Sequence, residues 1–133
     1  MNKKIMVLLV AIGVFCSAQA VDWTKVSQEA IKQNKLILVS VEREGCHYCE
    51  KMNKEVFKVK TNKTKISKDY VHMIVKINEV ELPKSIKEVK YFPSNYILNP
   101  KDMSVVDQLV GYMKPDDFLS LLKVEYDEEE KNN

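Results

Sequence analysis

The chain has few cysteines, and this scarcity restricts what they can do. Its 133 residues include three, Cys16, Cys46 and Cys49. We expect Cys16 to be removed with an N-terminal segment described below, which leaves a single pair. A framework of structural disulfides is therefore excluded, because no other pair exists. Two cysteines that lie three residues apart in an exported chain instead indicate redox chemistry.

The chain also has almost no net charge. It carries 21 lysines and arginines against 19 acidic residues. Lys3 and Lys4 belong to the same N-terminal segment, so its removal leaves the two signs in balance. A balanced composition does not favour nucleic acid or an anionic membrane as a partner. We expect neither.

The first twenty residues predict a secretory signal. Residues 2–4 (Asn-Lys-Lys) give a positive start, residues 5–15 are an unbroken apolar run, and residues 18–20 (Ala-Gln-Ala) form a small-residue cleavage site. The apolar run is short for a membrane anchor, and a phenylalanine directly before Cys16 fits lipoprotein processing poorly. We therefore expect cleavage after residue 20 and a periplasmic location.

A strand followed by a helix carries the candidate chemistry. Leu36 to Val41 is a near-continuous apolar run, which is typical of a strand buried on both faces. Cys49, Met52 and Val56 recur at helical spacing, so a helix should begin at or near Cys46. The free N–H groups and the positive dipole end of a helix start favour an anion, here a thiolate. Both cysteines lie on one helical face and can exchange between dithiol and disulfide.

The remaining elements complete an α/β pattern. Periodicity and turn residues predict helices over Val21–Lys35 and Leu82–Val89 and from Pro115 onward, strands over Val71–Ile77, Asn95–Leu98 and Ser104–Val110, and a solvated basic helix end and loop over Lys58–Lys68. A parallel crossover should join the first two strands. We expect one domain over residues 21–126, with a mixed sheet and helices on both faces, and a flexible acidic tail over residues 127–133.

The sequence resembles thioredoxin-fold proteins, most closely small exported thioredoxin-like domains and Dsb oxidoreductases. The resemblance covers Asp22 to Val124. It rests on Cys46-x-x-Cys49 at a strand-to-helix turn, on Phe92-Pro93 before a later strand, and on the sequence Gly-Tyr-x-x-Pro-x-x-Phe over residues 111–118. It implies a sheet of about four strands with an additional N-terminal helix.

The resemblance also implies roles for individual residues. Cys46 would be the exposed nucleophile and Cys49 the resolving cysteine. Pro93 would be cis and face the pair, and the backbone beside it would bind the substrate chain. A protonated His47 would stabilise the thiolate. Tyr48 would contact substrate or cover the helix start.

Three positions depart from the pattern of the family. Ser40 lies six residues before the first cysteine, where thioredoxins have a buried acid. Gly45 replaces a tryptophan, and Phe92 replaces a smaller threonine or valine, which changes the substrate groove. Glu42 or Glu44 would then be the proton acceptor for the resolving cysteine, or both are solvent-facing loop charges.

Other sites are less compatible with the sequence. Covalent haem attachment needs a histidine after the second cysteine, and Glu50 stands there. A zinc site would need His47 and the distant His72 beside both cysteines, so no metal site is expected. A non-catalytic alternative is a binding module that handles a metal or a partner protein through the cysteine pair.

These observations predict an exported thiol–disulfide oxidoreductase. We expect it to be a reductase or isomerase of disulfides in other exported proteins. It needs no cofactor beyond the Cys46–Cys49 disulfide, and it receives electrons from a membrane thiol-relay protein. No dimerisation module is recognisable, so a monomer is expected.

Overall fold

The computed structural model describes residues 20–122. The elements in chain order are α1 Trp23–Gln33, β1 Leu36–Glu42, α2 His47–Met52 with a π-helical continuation over Asn53–Phe57, α3 Lys60–Asp69, β2 Tyr70–Lys76, β3 Ser94–Leu98, β4 Val105–Val110, and α4, which begins at residue 115 and includes residue 122. The predicted signal, residues 1–20, lies outside this range except for its last residue. The predicted tail, residues 127–133, lies outside it entirely.

The sheet has four strands in the order β2-β1-β3-β4. Strand β1 pairs in parallel with β2 and antiparallel with β3, and β4 is antiparallel to β3. The predicted mixed sheet and its parallel crossover are therefore confirmed. The five central residues of β1 and all five of β3 are buried, because these two strands are internal and both of their faces are covered.

Alternation along β1 divides the core into two layers. Leu38 points to the layer that holds Met52, Phe57 and Phe118, between the sheet and helices α2, α3 and α4. Its neighbours in sequence point to the opposite layer, where α1 contributes Ala30. Successive side chains of a strand alternate between faces, so a residue two positions from Leu38 must also lie beneath α2. That residue is Ser40.

Asp22 is the N-terminal cap of helix α1. The carboxylate of Asp22 accepts hydrogen bonds from the backbone N–H groups of Thr24 and Lys25 at 3.1 and 3.2 Å, which satisfies two donors that the helix leaves free. At the other end Asn34 adopts a left-handed conformation with φ 54°. The indole N–H of Trp23 donates to the carbonyl of Glu81 at 2.7 Å and ties the helix to the segment before β3.

The predicted helix over Leu82–Val89 is wrong. The segment has one turn at residues 84–85, with the N–H of Ile86 bonded to the carbonyl of Pro83 at 2.9 Å, and is otherwise irregular. Its apolar side chains, Leu82, Ile86 and Val89, still pack into the layer beneath α1. The apolar spacing therefore correctly indicated that these side chains are at least partly buried. The segment that buries them has a single turn and is not a helix.

The predicted helix end and loop over Lys58–Lys68 are wrong in secondary structure, because a separate helix, α3, occupies most of the segment, although most of its residues are solvent-exposed as expected. Ile66 and Asn62 are the buried residues of this helix, and the amide of Asn62 donates to the carbonyl of Glu55 at 3.4 Å. With one apolar anchor in ten residues, the helix has no apolar stripe that periodicity could detect. Within residues 20–122, no helix combines the length and the hydropathy needed to cross a bilayer.

Candidate active site

The cysteine pair lies where β1 gives way to α2. Cys46 is the N-cap residue of α2, and its Sγ accepts a hydrogen bond from the N–H of Cys49 at 3.2 Å. The two cysteines form a disulfide, with 5.2 Å between their Cα atoms. The chain reaches this position through Gly45, whose φ is +66°. Residues other than glycine rarely adopt this backbone conformation. The turn therefore explains why a glycine replaces the family's tryptophan here.

The two sulfurs differ in position. Cys46 stands at the helix start with 7% of its surface exposed, and Cys49, inside the first turn, has 3% exposed. Cys46 is thus buried in the disulfide form and not exposed as the resemblance implied, although its exposed fraction is the larger of the two. The hydrogen bond to Cys46 comes from an N–H group at the start of the helix, which favours negative charge on that sulfur.

The two residues between the cysteines point outward. Both His47 and Tyr48 are exposed, with their rings in edge contact at 5.6 Å between centroids. The ring of Tyr48 lies 6.2 Å from that of Tyr112. Tyr48 therefore reaches across to the loop after β4, where it is available to a substrate.

The loop before β3 contains the proline that was expected to face the pair. The Phe92–Pro93 peptide bond is cis, as the resemblance implied. The carbonyl of Pro93 accepts from the N–H of Gly111 at 2.8 Å, and the hydroxyl of Ser94 donates to the carbonyl of Tyr91 at 2.7 Å. A backbone hydrogen bond thus joins the loop that contains Phe92 to the loop after β4.

A cleft of about 560 Å³ lies between these loops. Its lining includes four aromatic residues and two cations: Tyr48, Tyr91, Phe92, Tyr112, Arg43 and Lys90. The guanidinium of Arg43 lies 5.5 Å from the centre of the Phe92 ring. The bulk of Phe92 therefore forms one wall of the cleft and carries a cation on its face.

Beneath α2, three polar side chains cross the sheet in a row, and sequence reasoning did not find this row. The hydroxyl of Ser40 donates to Asn95 Oδ1 at 2.6 Å and lies 2.8 Å from His72 Nε2. Because Ser40 has one proton and gives it to Asn95, the imidazole N–H must donate to Ser40. Burial, with a smaller contribution from the nearby charge of Lys63, lowers the pKa of His72 to about 4. The polar residue within the otherwise apolar run of each strand was the available signal.

The two proposed proton acceptors have different surroundings. Glu44 is 82% exposed and pairs with Lys76 at 2.9 Å, so it is a solvent-facing loop charge. Glu42 is half-buried at the end of β1 and accepts a hydrogen bond from Asn53 Nδ2 at 2.9 Å. Of the two, only Glu42 contacts the helix that carries the cysteines.

The residues of the hypothetical zinc site are not brought together. His72 is engaged with Ser40 beneath the sheet surface, and His47 is exposed at the start of α2. In the described part of the chain, no three His, Cys, Asp or Glu side chains are grouped so that they could hold a metal ion.

A family model described as a thioredoxin-like domain matches residues 24–124. The chain belongs to the thioredoxin-like family. Curated protein sequences gave no match. The fold predicted from the resemblance, a four-stranded mixed sheet with an added N-terminal helix, is confirmed.

Solved structures of thioredoxin-like proteins are similar in fold. The periplasmic thioredoxin SoxS from Paracoccus pantotrophus is 20% identical with a TM-score of 0.56, over 69% of this chain and 96% of that one. A thioredoxin-fold protein from Helicobacter pylori is 24% identical with a TM-score of 0.59, over 70% of each chain. The C-terminal domain of DsbD from Neisseria meningitidis is 16% identical with a TM-score of 0.55, over 76% of this chain and 90% of that one.

A thioredoxin-like domain with a C-x-x-C disulfide at a helix start supports thiol–disulfide oxidoreductase chemistry. The pair can alternate between disulfide and dithiol within the geometry described, since the cysteines are already in bonding distance.

Proposed function

We propose that this protein is an exported thiol–disulfide oxidoreductase that reduces or isomerises disulfides in other exported proteins. The observation that carries the proposal is the place of Cys46 as N-cap of α2, with the N–H of Cys49 donating to its sulfur. In the reduced protein, the N–H groups at the helix start favour the thiolate form of this sulfur, which is the nucleophilic form.

The reaction begins with the reduced pair. The Cys46 thiolate attacks one sulfur of a client disulfide; a Cys46–client bond forms, the client bond breaks, and the second client sulfur leaves as a thiolate. Cys49 then loses its proton and attacks Cys46, which closes the Cys46–Cys49 disulfide and releases the first client sulfur. Two electrons pass to the client, whose thiolates take up two protons. Glu42 is the proposed acceptor for the proton of Cys49.

A further cycle requires a dithiol donor, because the protein ends as a disulfide. We propose a membrane thiol-relay protein in this role, acting on a monomer in the periplasm. The N-terminal segment supports export, and structural neighbours described as a periplasmic thioredoxin and as a DsbD C-terminal domain are in keeping with such a chain of thiol exchange.

The surrounding residues have supporting roles in this proposal. His47, exposed next to Cys46, stabilises the thiolate when protonated. Tyr48 and Phe92 border the cleft and contact the client. The backbone beside Pro93 binds the client chain in extended form, as in the family that the sequence resembles.

Trapping tests the assigned roles. Cys49→Ser should accumulate covalent complexes with exported proteins in cells, because the mixed disulfide forms but is not resolved. Cys46→Ser should accumulate none. Both are to be assayed on non-reducing gels, with insulin reduction and metal content measured on the purified wild type. Equal trapping by the two variants, or stoichiometric metal without insulin reduction, would reject the proposal in favour of a binding module.

A further inference from the structure

The cleft that is lined by Tyr48, which lies between the two cysteines in sequence, has an excess of positive charge. Arg43 and Lys90 line it, and Lys51 lies 4.5 Å above the ring of Tyr112, another lining residue. No aspartate or glutamate is among the described residues that line it. The carboxylate of Glu55 accepts a hydrogen bond from the hydroxyl of Tyr112, which is one of the lining residues.

Two of these cations have no carboxylate partner. Within residues 20–122, the ion pairs of lysine and arginine involve neither Arg43 nor Lys51. Both instead lie over aromatic faces, which fixes their positions without neutralising their charge. Lys90 is partly balanced by Glu88 at 3.5 Å. The protein has almost no net charge, so this concentration of positive charge is local.

The aromatic residues of the cleft are also exposed. Tyr91 and Tyr48 have 68% and 57% of their surface accessible, and Val110 beside them has 43%. Large apolar side chains grouped at the surface indicate an interaction site more strongly than isolated ones do. Aromatic rings and fixed cations together favour a partner that offers a carboxylate and a ring.

We propose that the cleft selects client segments that carry an acidic side chain and an aromatic side chain next to the reacting cysteine. This inference rests on the proposed function, since it assigns a substrate class to the same site. Arg43 and Lys51 attract the carboxylate, and the rings of Tyr48 and Tyr91 pack against the aromatic side chain.

Synthetic peptides test the selection directly. Each has one cysteine joined to thionitrobenzoate, flanked either by glutamates or by lysines, and carries either phenylalanine or serine beside it. Purified Cys49→Ser protein attacks the peptide sulfur through Cys46, so the Cys46–peptide bond forms and the coloured thionitrobenzoate anion leaves. Every rate is divided by the rate at which the same peptide reacts with mercaptoethanol, a thiol without a charged substituent. This division removes differences in intrinsic reactivity between the peptides.

We expect the glutamate peptide to react about tenfold faster than the lysine peptide at low salt. Adding Arg43→Gln and Lys51→Gln should reduce this ratio to about two, whereas Lys84→Gln with Lys101→Gln, an equal loss of charge at exposed sites elsewhere, should leave it unchanged. The ratio is the right readout because both peptides report the same thiolate, so an altered pKa of Cys46 cancels.

A separate variant tests the proposed preference for an aromatic side chain. Tyr91→Ala should remove most of a roughly threefold advantage of the phenylalanine peptides over the serine peptides. Equal rates for all peptides, or a preference for lysine, would overturn the inference and leave the proposed function standing. Failure of every peptide to react, with mercaptoethanol reacting normally, would reject the proposed function and the inference with it.

Discussion

Removing the hydroxyl of Ser40 should be costly for so small a change. Ser40 is 2% exposed and links His72 to Asn95. In Ser40→Ala the imidazole N–H and the amide oxygen both lose their partner beneath α2. A buried polar group without a partner costs about 1–3 kcal/mol, so for the two groups we expect a loss of about 2–6 kcal/mol from a total stability of about 5–15 kcal/mol.

Urea unfolding of the oxidised protein measures this loss. The midpoint for Ser40→Ala should fall by roughly 1–2 M with little change in slope. Ser94→Ala is the matched control, because this serine is 1% exposed and its hydroxyl donates its one proton to the carbonyl of Tyr91. Its cost should be about half as large.

A double-mutant cycle separates the hydrogen bond from the change in volume. In a His72→Phe background, Ser40→Ala leaves one orphaned group and not two, so its cost should drop by at least about 1 kcal/mol. If the two changes add within about 0.5 kcal/mol, or if Ser40→Ala costs no more than the control, the row contributes nothing as a unit and the reasoning is refuted.

Three further outcomes follow from the site. The pKa of His72 is about 4 in the folded protein against 6.5 for a free imidazole, so between these pH values the unfolded chain binds a proton that the folded protein does not. Stability should therefore be full above pH 6.5 and fall by about 2–3 kcal/mol as the pH approaches 4. Urea titrations at several pH values should find this fall reduced in His72→Phe. Gly45→Ala should destabilise by about 1 kcal/mol because of the positive φ at this residue, and a smaller loss than for an exposed helical Ala→Gly control would show that the turn relaxes. Equilibration with glutathione buffers should give Cys46–Cys49 a potential of roughly −150 to −260 mV, with the protein reduced in cells; a value near −120 mV and fully oxidised protein would identify an oxidase instead.

Local sequence was sufficient to predict the elements that carry the chemistry. The apolar run ending in β1 and the helical spacing after Cys46 fixed the strand-to-helix turn, because a buried strand and an amphipathic helix each have a short-range signal. The signal for the helix start at Pro115 was equally local. Pro93 was placed beside the pair by resemblance to a family, since its own neighbours in sequence do not show what it faces.

Long-range placement could not be predicted in the same way. The row of Ser40, His72 and Asn95 comes from three strands, and the register between β2, β1 and β3 decides whether they meet. The uncompensated charges of Arg43 and Lys51 likewise depend on which carboxylates come near in the fold. Sequence spacing determines neither the register between the strands nor which carboxylates approach these cations.

The π-helical segment after α2 sets the rotational phase of the helix that carries the cysteines. Its wide turn closes with a hydrogen bond from the N–H of Lys58 to the carbonyl of Asn53 at 2.8 Å. This bond joins residues five apart in sequence, one more than in an α-helix. The extra residue brings Phe57 round to the buried side, 4.6 Å from the ring of His72 and 5.6 Å from that of Phe118. The helix is consequently anchored to both β2 and α4 at its far end, so two elements that carry neither cysteine help to hold the helix that does.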